Sequence, residues 1–450
     1  MNPAAVSKKR QCCVLGPIVV HEHGQEVHGP TATPEAGMQT LVSTIGLDRL
    51  LTAYYQYDRR SHCTLPFAVA QRCITAADCC PKHVELAMCF KTQSGHTVWK
   101  RRCAAKDGLE LCLLLHGKAE VDLHAGIAQP RYAPDADQMS ACQPLQFDFD
   151  MDDWPFFHLY HTDSKTSFTD RFWPLVRLWS TYIQHALRAH FGYVHVLCVY
   201  SGRRGVHVLV YDTRVSHMDD IAAHRSRRLA IMRYMLPSTV SKQPYSLCTG
   251  TAALHPLLLE AVDMSSGVFD DFMLRPEVEG GGGLLDTSER REAVLSTVFA
   301  PGCRRDIVYT ARRRFASMTG AAYTSADYWA ALRASIVAAV DGDTVLASRI
   351  EHSTLLSVML PRADEKASAV GHLLSAPFFA NHKTGRIRTP FDPANREFHP
   401  SRAPSLGGLY KRERSSVEAM RTAVDVVNNA LPLMHTTACP WCAEKRVTAW

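Results

Sequence analysis

Residues 145–150 of the chain read Leu145-Gln146-Phe147-Asp148-Phe149-Asp150. Apolar and polar side chains alternate along this stretch, which predicts a β-strand whose two carboxylates point to the same face. Two carboxylates on one face repel each other unless a cation neutralises them, and Mg²⁺ or Mn²⁺ prefers such oxygen ligands. The pattern alone leaves two interpretations open, a divalent-metal site and a solvated strand end.

A basic loop bracketed by glycines follows about fifty residues later, between two β-branched runs over 194–200 and 206–210. The runs predict a strand, a tight loop and a second strand. Glycines let the backbone approach a ligand closely, and arginine forks match phosphate oxygens. The loop, Ser201-Gly202-Arg203-Arg204-Gly205-Val206-His207, is interpreted as a triphosphate cradle, with a basic surface turn as the alternative.

A third region combines a carboxylate with another basic turn that contains glycine. Its motifs are Pro361-Arg362-Ala363-Asp364, His372-Leu373-Leu374, Pro377-Phe378 and Lys383-Thr384-Gly385-Arg386. Asp364 is a candidate third metal ligand because it supplies one more carboxylate. Each of these short patterns is a weak signal when taken alone.

The periodicity of the whole chain predicts an α/β (α+β) core, in which β-sheets are flanked by helices, with an inserted, mostly helical subdomain. A first amphipathic helix is predicted to begin near Ile45, and another is predicted over 172–190. The glycine run from Gly280 to Gly283 predicts a flexible surface loop. The predicted units are a disordered extension over 1–44, a first part of the core over 45–213, a helical subdomain over 214–350, a returning part of the core over 351–395 and a helical tail over 396–450.

Composition indicates a globular protein, since 46% of the residues are hydrophobic and 21% are charged. No apolar run reaches the roughly 18 residues of a transmembrane helix, so no membrane contact is expected. A net charge of +6 is compatible with a polyanionic partner without requiring one. The 15 cysteines lack the spacing of a secreted disulfide framework, which favours an intracellular protein with reduced thiols.

The order of these motifs resembles the small, catalytic subunit of archaeo-eukaryotic DNA primases. The resemblance rests on D-x-D, SGRRGVH, PR-x-D, HLL-x-x-PF and KTGR, in this order. Leu50-Leu51 with Tyr54-Tyr55 resembles the opening helix of that family, and Val121-Asp122-Leu123 resembles its short acidic strand. The resemblance runs from about residue 45 to 393, although 214–350 match only in helical character.

This resemblance implies a primase catalytic core that makes short RNA primers on single-stranded DNA from ribonucleoside triphosphates. Asp148, Asp150 and Asp364 would coordinate two Mg²⁺ or Mn²⁺ ions, which activate the attacking 3′-hydroxyl and neutralise the leaving pyrophosphate. The implied triphosphate- and nucleotide-binding residues are Ser201, Arg203, Arg204, His207, Asp122, His382, Lys383 and Arg386. The implied partners are the primase large subunit and the DNA polymerase alpha complex in the nucleus, with the mitochondrion as the alternative location.

Three positions depart from the family pattern on the phosphate side. Ser375 stands where the family has a lysine after HLL, and Asn381 stands at the place of a histidine. His382 follows one step later and is the candidate substitute. Cys112 occupies a strand position that often offers an arginine to the nucleotide. These departures predict weaker or rearranged triphosphate binding.

The zinc motif of the family lies between D-x-D and SGRRGVH, where this chain has only Cys198. An upstream segment from Cys73 to His83 resembles that motif instead. It is interpreted as a relocated structural zinc site, or else as thiols that pack in a core. The candidate zinc ligands are Cys73, Cys80, His83 and one of Cys63, Cys79 or Cys89.

Two other functions are compatible with these motifs. One is a primase-polymerase of the same superfamily that prefers deoxynucleotides and acts in damage tolerance. The other is a catalytically weakened structural subunit, which the departures at Ser375, Asn381 and Cys112 favour. The intact aspartates oppose the structural subunit, because a site without metals has no reason to keep carboxylates that repel each other.

Overall fold

The computed structural model describes residues 143–431 apart from 161–164, 219–220, 237–253, 300–303, 320–322, 368–371 and 373. Within 50–142 it describes Leu50, Tyr54 and several strands. The predicted extension over 1–44, Cys112 and the candidate zinc ligands outside the strands lie outside the described residues. Leu50 and Tyr54 are helical and buried, as the opening helix predicted from Ile45 requires.

The strands lie mostly in the first half of the chain and the helices mostly in the second half. The strands are β1 Tyr57–Asp58, β2 Cys63–Thr64, β3 Val84–Lys91, β4 Thr97–Cys103, β5 Val121–Ile127, β6 Ala141–Cys142, β7 Leu145–Asp150, β8 Val196–Tyr200, β9 Gly205–Val210, β10 His217–Met218, β11 Leu374–Ser375 and β12 Thr389–Phe391. The helices are α1 Lys165–Arg171, α2 Trp173–Ala189, α3 Thr213–Ser216, α4 Ile221–Met235, α5 Pro256–Val268, α6 Ser288–Val298, α7 Arg305–Ser317, α8 Ser325–Ala339, α9 Thr344–Met359, α10 Leu406–Tyr410 and α11 Arg414–Ala430.

One antiparallel sheet, in the order β12-β8-β9-β7, carries the two carboxylates of the opening stretch. Phe147 and Phe149 are fully buried on the face opposite to Asp148 and Asp150, which confirms the predicted alternation. The loop after residue 200 joins β8 and β9 as a hairpin, in which Tyr200 pairs with Val206. The β7–β9 register sets His207 opposite Asp148, so the loop and the carboxylates meet at one end of the sheet.

A second antiparallel sheet has the order β11-β5-β3-β4. Its β5 contains Asp122, and its edge strand β11 comes from the returning part of the chain. Ser375 pairs with His124 in this ladder. The returning segment therefore contributes to both sheets, through β11 to this one and through β12 to the other.

Helix α2 covers the first sheet with an apolar stripe. The predicted face of Val176, Trp179, Ile183 and Leu187 is almost completely buried. Each buried side chain of this size stabilises the fold by about 1.5–3 kcal/mol. This face belongs to one continuous apolar core that also includes residues of the helices after α3.

Two tryptophans fix the end of α9, just before the third carboxylate. The indole N–H of Trp154 donates to the carbonyl of Val358 over 2.9 Å, and that of Trp179 donates to Met359 over 2.8 Å. Pro361 follows directly and cannot continue a helix. Helix α9 crosses residue 350, so the boundary predicted there falls inside a helix and the chain returns to the sheet only after Met359.

Three of the four glycines at 280–283 are packed inside the protein, which corrects the expectation of a flexible surface loop for all but Gly280. Gly281 to Gly283 are buried, and their backbone N–H groups donate to carbonyls of residues 272–276. A Cβ atom on Gly281 would lie 2.2 Å from the carbonyl oxygen of Arg275. The run is therefore rich in glycine because two backbone segments lie too close together for side chains.

Most of the described residues between β10 and residue 350 are helical, as predicted for the helical subdomain. Helix α11 belongs to the predicted helical tail and packs against β12 and β8. No helix in the described ranges is long and apolar enough to cross a membrane.

Candidate active site

Three carboxylates approach one another at the end of β7. Asp148 and Asp150 lie on the open face of that strand, and the backbone N–H of Asp364 donates to the carbonyl of Asp148 over 3.3 Å. Asp364 lies 216 residues after Asp148 in the chain, so only the tertiary fold brings it here. The structure thus places all three predicted metal ligands around one strand end.

Burial and mutual repulsion govern the charge of these carboxylates. Burial raises the pKa of Asp148 well above its ordinary value, and the negative charges of Asp150 and Asp364 raise it further. Burial also raises the pKa of Asp150, although the nearby Arg204 acts in the opposite direction. Carboxylates in such a setting gain from a cation that neutralises them.

Arg204 is the cation that now lies in the cleft. Its guanidinium contacts Asp150 at 2.5 Å and Asp152 at 2.9 Å. Asp152 follows β7 directly and was not a predicted site residue. The acidic run Asp148-x-Asp150-x-Asp152-Asp153 was the signal that could have revealed it.

The carboxylates of Asp148, Asp150 and Asp364 are suitable ligands for a divalent cation, but their oxygens are too far apart in this structure to bind one ion together. Oδ1 of Asp148 is buried and makes no hydrogen bond within the described part of the chain. The three aspartates do not bring one oxygen each within 4.8 Å of one another. Because Asp150 is paired with Arg204, that side chain must exchange partners before three carboxylates can share an ion. Hard oxygen ligands of this kind suit Mg²⁺ or Mn²⁺.

The hairpin loop is held in shape by its own serine. The hydroxyl of Ser201 accepts hydrogen bonds from the backbone N–H groups of Gly205 and Arg204, at 3.1 and 3.4 Å. Gly202 has φ of +81°, the left-handed region that favours glycine. Gly205 lies so close to β7 that a Cβ atom there would approach the carbonyl oxygen of Phe149 to 1.9 Å.

A second turn, formed by residues 381–386 and here named the buttress turn, packs against the hairpin loop. The hydroxyl of Thr384 donates to the carbonyl of Gly202 over 2.6 Å, and the amide of Asn381 donates to Ser201 over 3.4 Å. Oδ1 of Asn381 also accepts from the backbone N–H of Lys383 over 3.0 Å. Asn381 therefore organises the turn, which explains a polar side chain at a position where the family pattern has a histidine.

The expectation that Arg386 adds positive charge to the phosphate pocket is wrong. Its guanidinium is mostly buried and makes two hydrogen bonds of 2.7 Å to the carboxylate of Asp170, and one of 3.0 Å to the hydroxyl of Tyr200. The charge of Arg386 is thus neutralised inside the protein, where it ties α1 to the buttress turn. Asp170 carries no motif that could have predicted this role.

The other predicted phosphate ligands differ in exposure. His207 is buried, with its Nε2 atom 3.6 Å from Oδ1 of Asp148. Lys383 is exposed, whereas His382 and Arg203 are half-buried. Arg203 has no ion-pair partner among the described residues, so its charge is available to a ligand. Asp122 lies on β5 of the second sheet, and its side chain lies outside the described part.

A basic pocket of about 500 Å³ lies beside the first turn of α2. Its lining includes Trp173, Phe398 and three arginines, of which Arg171 is paired with Glu277 and the other two are Arg177 and Arg396. Burial lowers the pKa of Arg177, and the positive charge of Arg396 lowers it further, so the two guanidiniums are close enough to repel. Neither has an acidic partner among the described residues. Two unpaired arginines beside aromatic rings suit a phosphate-bearing ligand.

Comparison with known proteins gives a consistent set of relatives. A family model described as DNA primase small subunit matches residues 147–393. The DNA primase small subunit of Schizosaccharomyces pombe is 25% identical over 274 residues, covering 59% of this chain and 56% of the relative. Its counterpart in Drosophila melanogaster is 25% identical over 281 residues, covering 59% of each chain. That of Saccharomyces cerevisiae is 22% identical over 291 residues, covering 62% of this chain and 65% of the relative.

The chain thus spans less than two thirds of the length of these curated relatives. The family model covers more than half of the 450 residues, and its span contains the three aspartates, the hairpin loop and the buttress turn. The chain therefore belongs to the DNA primase small subunit family.

Proposed function

We propose that this chain is a primase catalytic subunit, which synthesises short RNA primers on single-stranded DNA by metal-dependent nucleotidyl transfer. The single observation that supports it most is the convergence of Asp148, Asp150 and Asp364 beside a hairpin loop with two arginines. Phosphoryl transfer depends on positioning and on neutralising charge at the phosphates. Carboxylates and guanidiniums at one strand end are the groups that this chemistry needs.

Each group has a proposed task. Asp148, Asp150 and Asp364 hold two Mg²⁺ or Mn²⁺ ions, which when bound activate the 3′-hydroxyl and neutralise the leaving pyrophosphate. Arg203, Lys383 and His382 pair with the triphosphate from the open side of the hairpin loop and the buttress turn. These roles are supported by the partial or full exposure of the three side chains and by their place in the hairpin loop and in the turn that packs against it.

Arg204 and His207 act closest to the carboxylates. Arg204 contacts Asp150 and Asp152 across the cleft and exchanges these partners for phosphate oxygens when a nucleotide is bound. His207 lies opposite Asp148 in the ladder, where it orients that carboxylate or donates to a phosphate. Ser201 shapes the loop by accepting two backbone N–H groups.

The remaining assignments extend the family relationship to this chain. We propose that the primase large subunit, DNA polymerase alpha and a single-stranded DNA template are its partners, and that it acts in the nucleus. Asp122 would lie near the nucleotide sugar, and zinc at Cys73, Cys79, Cys80 and His83 stays a proposal. The relatives are eukaryotic primase small subunits, and this supports a role in replication.

The test is primer synthesis by the purified chain on poly(dT) with ATP and Mn²⁺, with and without the large subunit. We expect Asp148→Asn and Asp150→Asn to lower the rate by roughly a hundredfold or more, because each removes charge from the metal-binding cleft. Asp425→Asn, an exposed aspartate on α11, serves as the matched control and should leave the rate unchanged. Unchanged synthesis by the Asp148 and Asp150 variants would refute the metal assignment.

The same assay separates the alternatives. Incorporation of ATP in preference to dATP supports a primase, whereas the opposite preference identifies a primase-polymerase. A wild-type chain that makes no product even beside the large subunit is a structural subunit, and the proposal then fails.

A further inference from the structure

A cluster of side chains that can bind a metal lies at the carboxyl end of α2. The ring Nε2 atoms of His185 and His190 lie 2.8 and 3.0 Å from the same oxygen, Oε2 of Glu260. His185 is in α2, His190 caps its carboxyl end, and Glu260 is on α5. Among the described residues, this is the one group in which three such residues each present a ligand atom within 4.8 Å of the others.

Two of the three distances between the ligand atoms are close to those of a zinc site, and the third, between the two imidazole nitrogens, is within 4.8 Å. Imidazole nitrogens and a carboxylate oxygen bind Zn²⁺ at about 2.0–2.2 Å, so adjacent ligands of a tetrahedral site lie about 3.3 Å apart. The observed separations of 2.8 and 3.0 Å need to widen by only a few tenths of an ångström. Small rotations of partly exposed side chains provide such a change without moving a helix.

The surrounding residues form the outer hydrogen-bond shell that metal-bound histidines usually have. The hydroxyl of Tyr234, on α4, lies 3.3 Å from Nδ1 of His190 and 3.4 Å from Nε2 of His255. Nδ1 of His255 accepts the backbone N–H of Leu257, so its Nε2 carries the proton and donates to Tyr234. A tyrosine hydroxyl both donates and accepts, so it can accept a hydrogen bond from Nδ1–H of His190, and in that tautomer Nε2 carries no proton and is available to a metal.

Charge also favours a cation at this cluster. The Glu260 carboxylate lies against both imidazoles and makes no contact with an arginine or a lysine among the described residues. Two neutral imidazoles and one carboxylate carry a single negative charge. A divalent ion there leaves one net positive charge and an open coordination position for water.

We propose that His185, His190 and Glu260 form a zinc site with water as the fourth ligand. The site joins the end of α2, which covers the catalytic sheet, to α5 of the helical region. It is a structural clamp between two helices that already pack against each other. The simpler alternative is an ion pair between Glu260 and protonated histidines, which needs no metal.

Metal stoichiometry of the full-length chain tests the proposal. The chain is stripped with a chelator and titrated with Co²⁺ and Zn²⁺, and its metal content is compared with those of His185→Gln/His190→Gln and Glu260→Gln variants. We expect the double-histidine variant to bind one equivalent less than the wild type. We also expect Zn²⁺ to raise the melting temperature of the wild type by more than that of this variant. His158→Gln, at an exposed histidine, is the matched control and should bind as the wild type does.

The spectrum of the Co²⁺ complex separates this site from any site in the cysteine-rich upstream segment. The Co²⁺ ion that the wild type binds and the double-histidine variant does not should give ligand-field bands but no thiolate charge-transfer band, because this site contains no sulfur ligand. Equal metal content in wild type and double-histidine variant overturns the proposal and leaves the ion pair. Glu260→Gln keeps the side-chain size at an exposed position, so it provides the same comparison if the double variant does not fold.

Discussion

Gly202 shows how a single residue couples the two loops of the candidate active site. Its φ of +81° is unfavourable for any residue with a side chain. A Cβ atom there would also lie 3.0 Å from Cβ of Asn381 and 3.1 Å from the carbonyl oxygen of Arg386. Backbone conformation and contact with the buttress turn therefore both require glycine at this position.

We expect Gly202→Ala to destabilise the protein by about 1–2 kcal/mol through backbone strain, and further through crowding against the buttress turn. Urea unfolding measures this cost, and the KM for ATP should rise because the loop shifts. Gly280→Ala is the matched control, since Gly280 has φ of +80° and a methyl group added there would meet no atom within 4 Å. Equal costs for the two variants would show that the buttress turn does not constrain Gly202.

At the scale of elements, the ion pair between Asp170 and Arg386 connects α1 to the buttress turn. The side chains are 16% and 10% exposed, so neither charge is well hydrated. The Asp170 carboxylate accepts two guanidinium N–H groups, and the hydroxyl of Tyr200 accepts a third hydrogen bond. This arrangement holds the turn against the hairpin loop and thereby shapes the predicted phosphate side.

We expect Asp170→Asn to destabilise the fold by about 3 kcal/mol, because it leaves the Arg386 charge buried without a carboxylate. Urea unfolding with linear extrapolation measures the change. Replacing both residues, as Asp170→Asn with Arg386→Met, should recover part of the loss, since no charge is then buried. A double variant that is as unstable as the sum of the single variants would contradict a direct pair.

Glu277 makes the corresponding connection between α1 and α6. Its carboxylate contacts Arg171 at 2.5 Å and the buried Arg290 at 2.7 Å. Burial alone would raise the pKa of Glu277, but the hydrogen bonds from Arg171 and Arg290 lower it below its ordinary value. Since the folded pKa lies below the unfolded one, this stabilisation is complete above the unfolded pKa and is lost as the pH falls through the folded pKa.

We expect Glu277→Gln to cost about 2 kcal/mol at neutral pH, with most of the cost arising from the buried guanidinium of Arg290. The difference from the wild type should shrink as the pH falls to about 4, near the ordinary pKa of a glutamate, and below. Urea unfolding at several pH values measures it. Glu279→Gln is the control, because Glu279 is exposed and its contact with Arg275 is a surface pair at 3.7 Å. A pH-independent difference at Glu277 would refute the linkage.

At the scale of the whole molecule, Asp170 links the basic pocket to the hairpin loop, because it lines the pocket and also binds Arg386. The pocket with the unpaired Arg177 and Arg396 therefore adjoins the ion pair that holds the buttress turn. Under the proposed function, a DNA strand that passes Asp148 and Asp150 has further phosphates beyond them, and this pocket offers those phosphates two unpaired guanidiniums and aromatic rings.

We expect Arg177→Glu with Arg396→Glu to weaken binding of single-stranded DNA and to lower the slope of log K against log salt by about 1–2. Fluorescence anisotropy of a labelled oligonucleotide at several salt concentrations measures both quantities. Arg313→Glu with Arg314→Glu on α7 makes the same charge change at another exposed surface. A larger loss of affinity from the α7 variant would move the DNA path away from the pocket.

Much of the catalytic sheet could be predicted from local pattern. Alternation in Leu145 to Asp150 predicted a strand with both carboxylates on one face, and 3.6-residue spacing predicted the buried stripe of α2. The packing of Gly281 to Gly283 could not be predicted, because a flexible loop and a close backbone approach have the same composition. The role of Arg386 was predicted wrongly for a related reason, since a basic turn does not reveal whether its arginine faces a ligand or a buried acid.

Local sequence patterns were enough to predict the chemical groups of the site: two carboxylates on one strand, a basic hairpin loop and a third aspartate late in the chain. Such features are encoded within a few residues, where backbone periodicity and residue type act directly. Only the tertiary structure decided which groups meet. It brought Asp364 to Asp148, paired Arg204 with Asp150 and turned Arg386 inward to Asp170. These contacts join residues far apart in the chain, and they depend on strand register and helix packing, which no local pattern specifies.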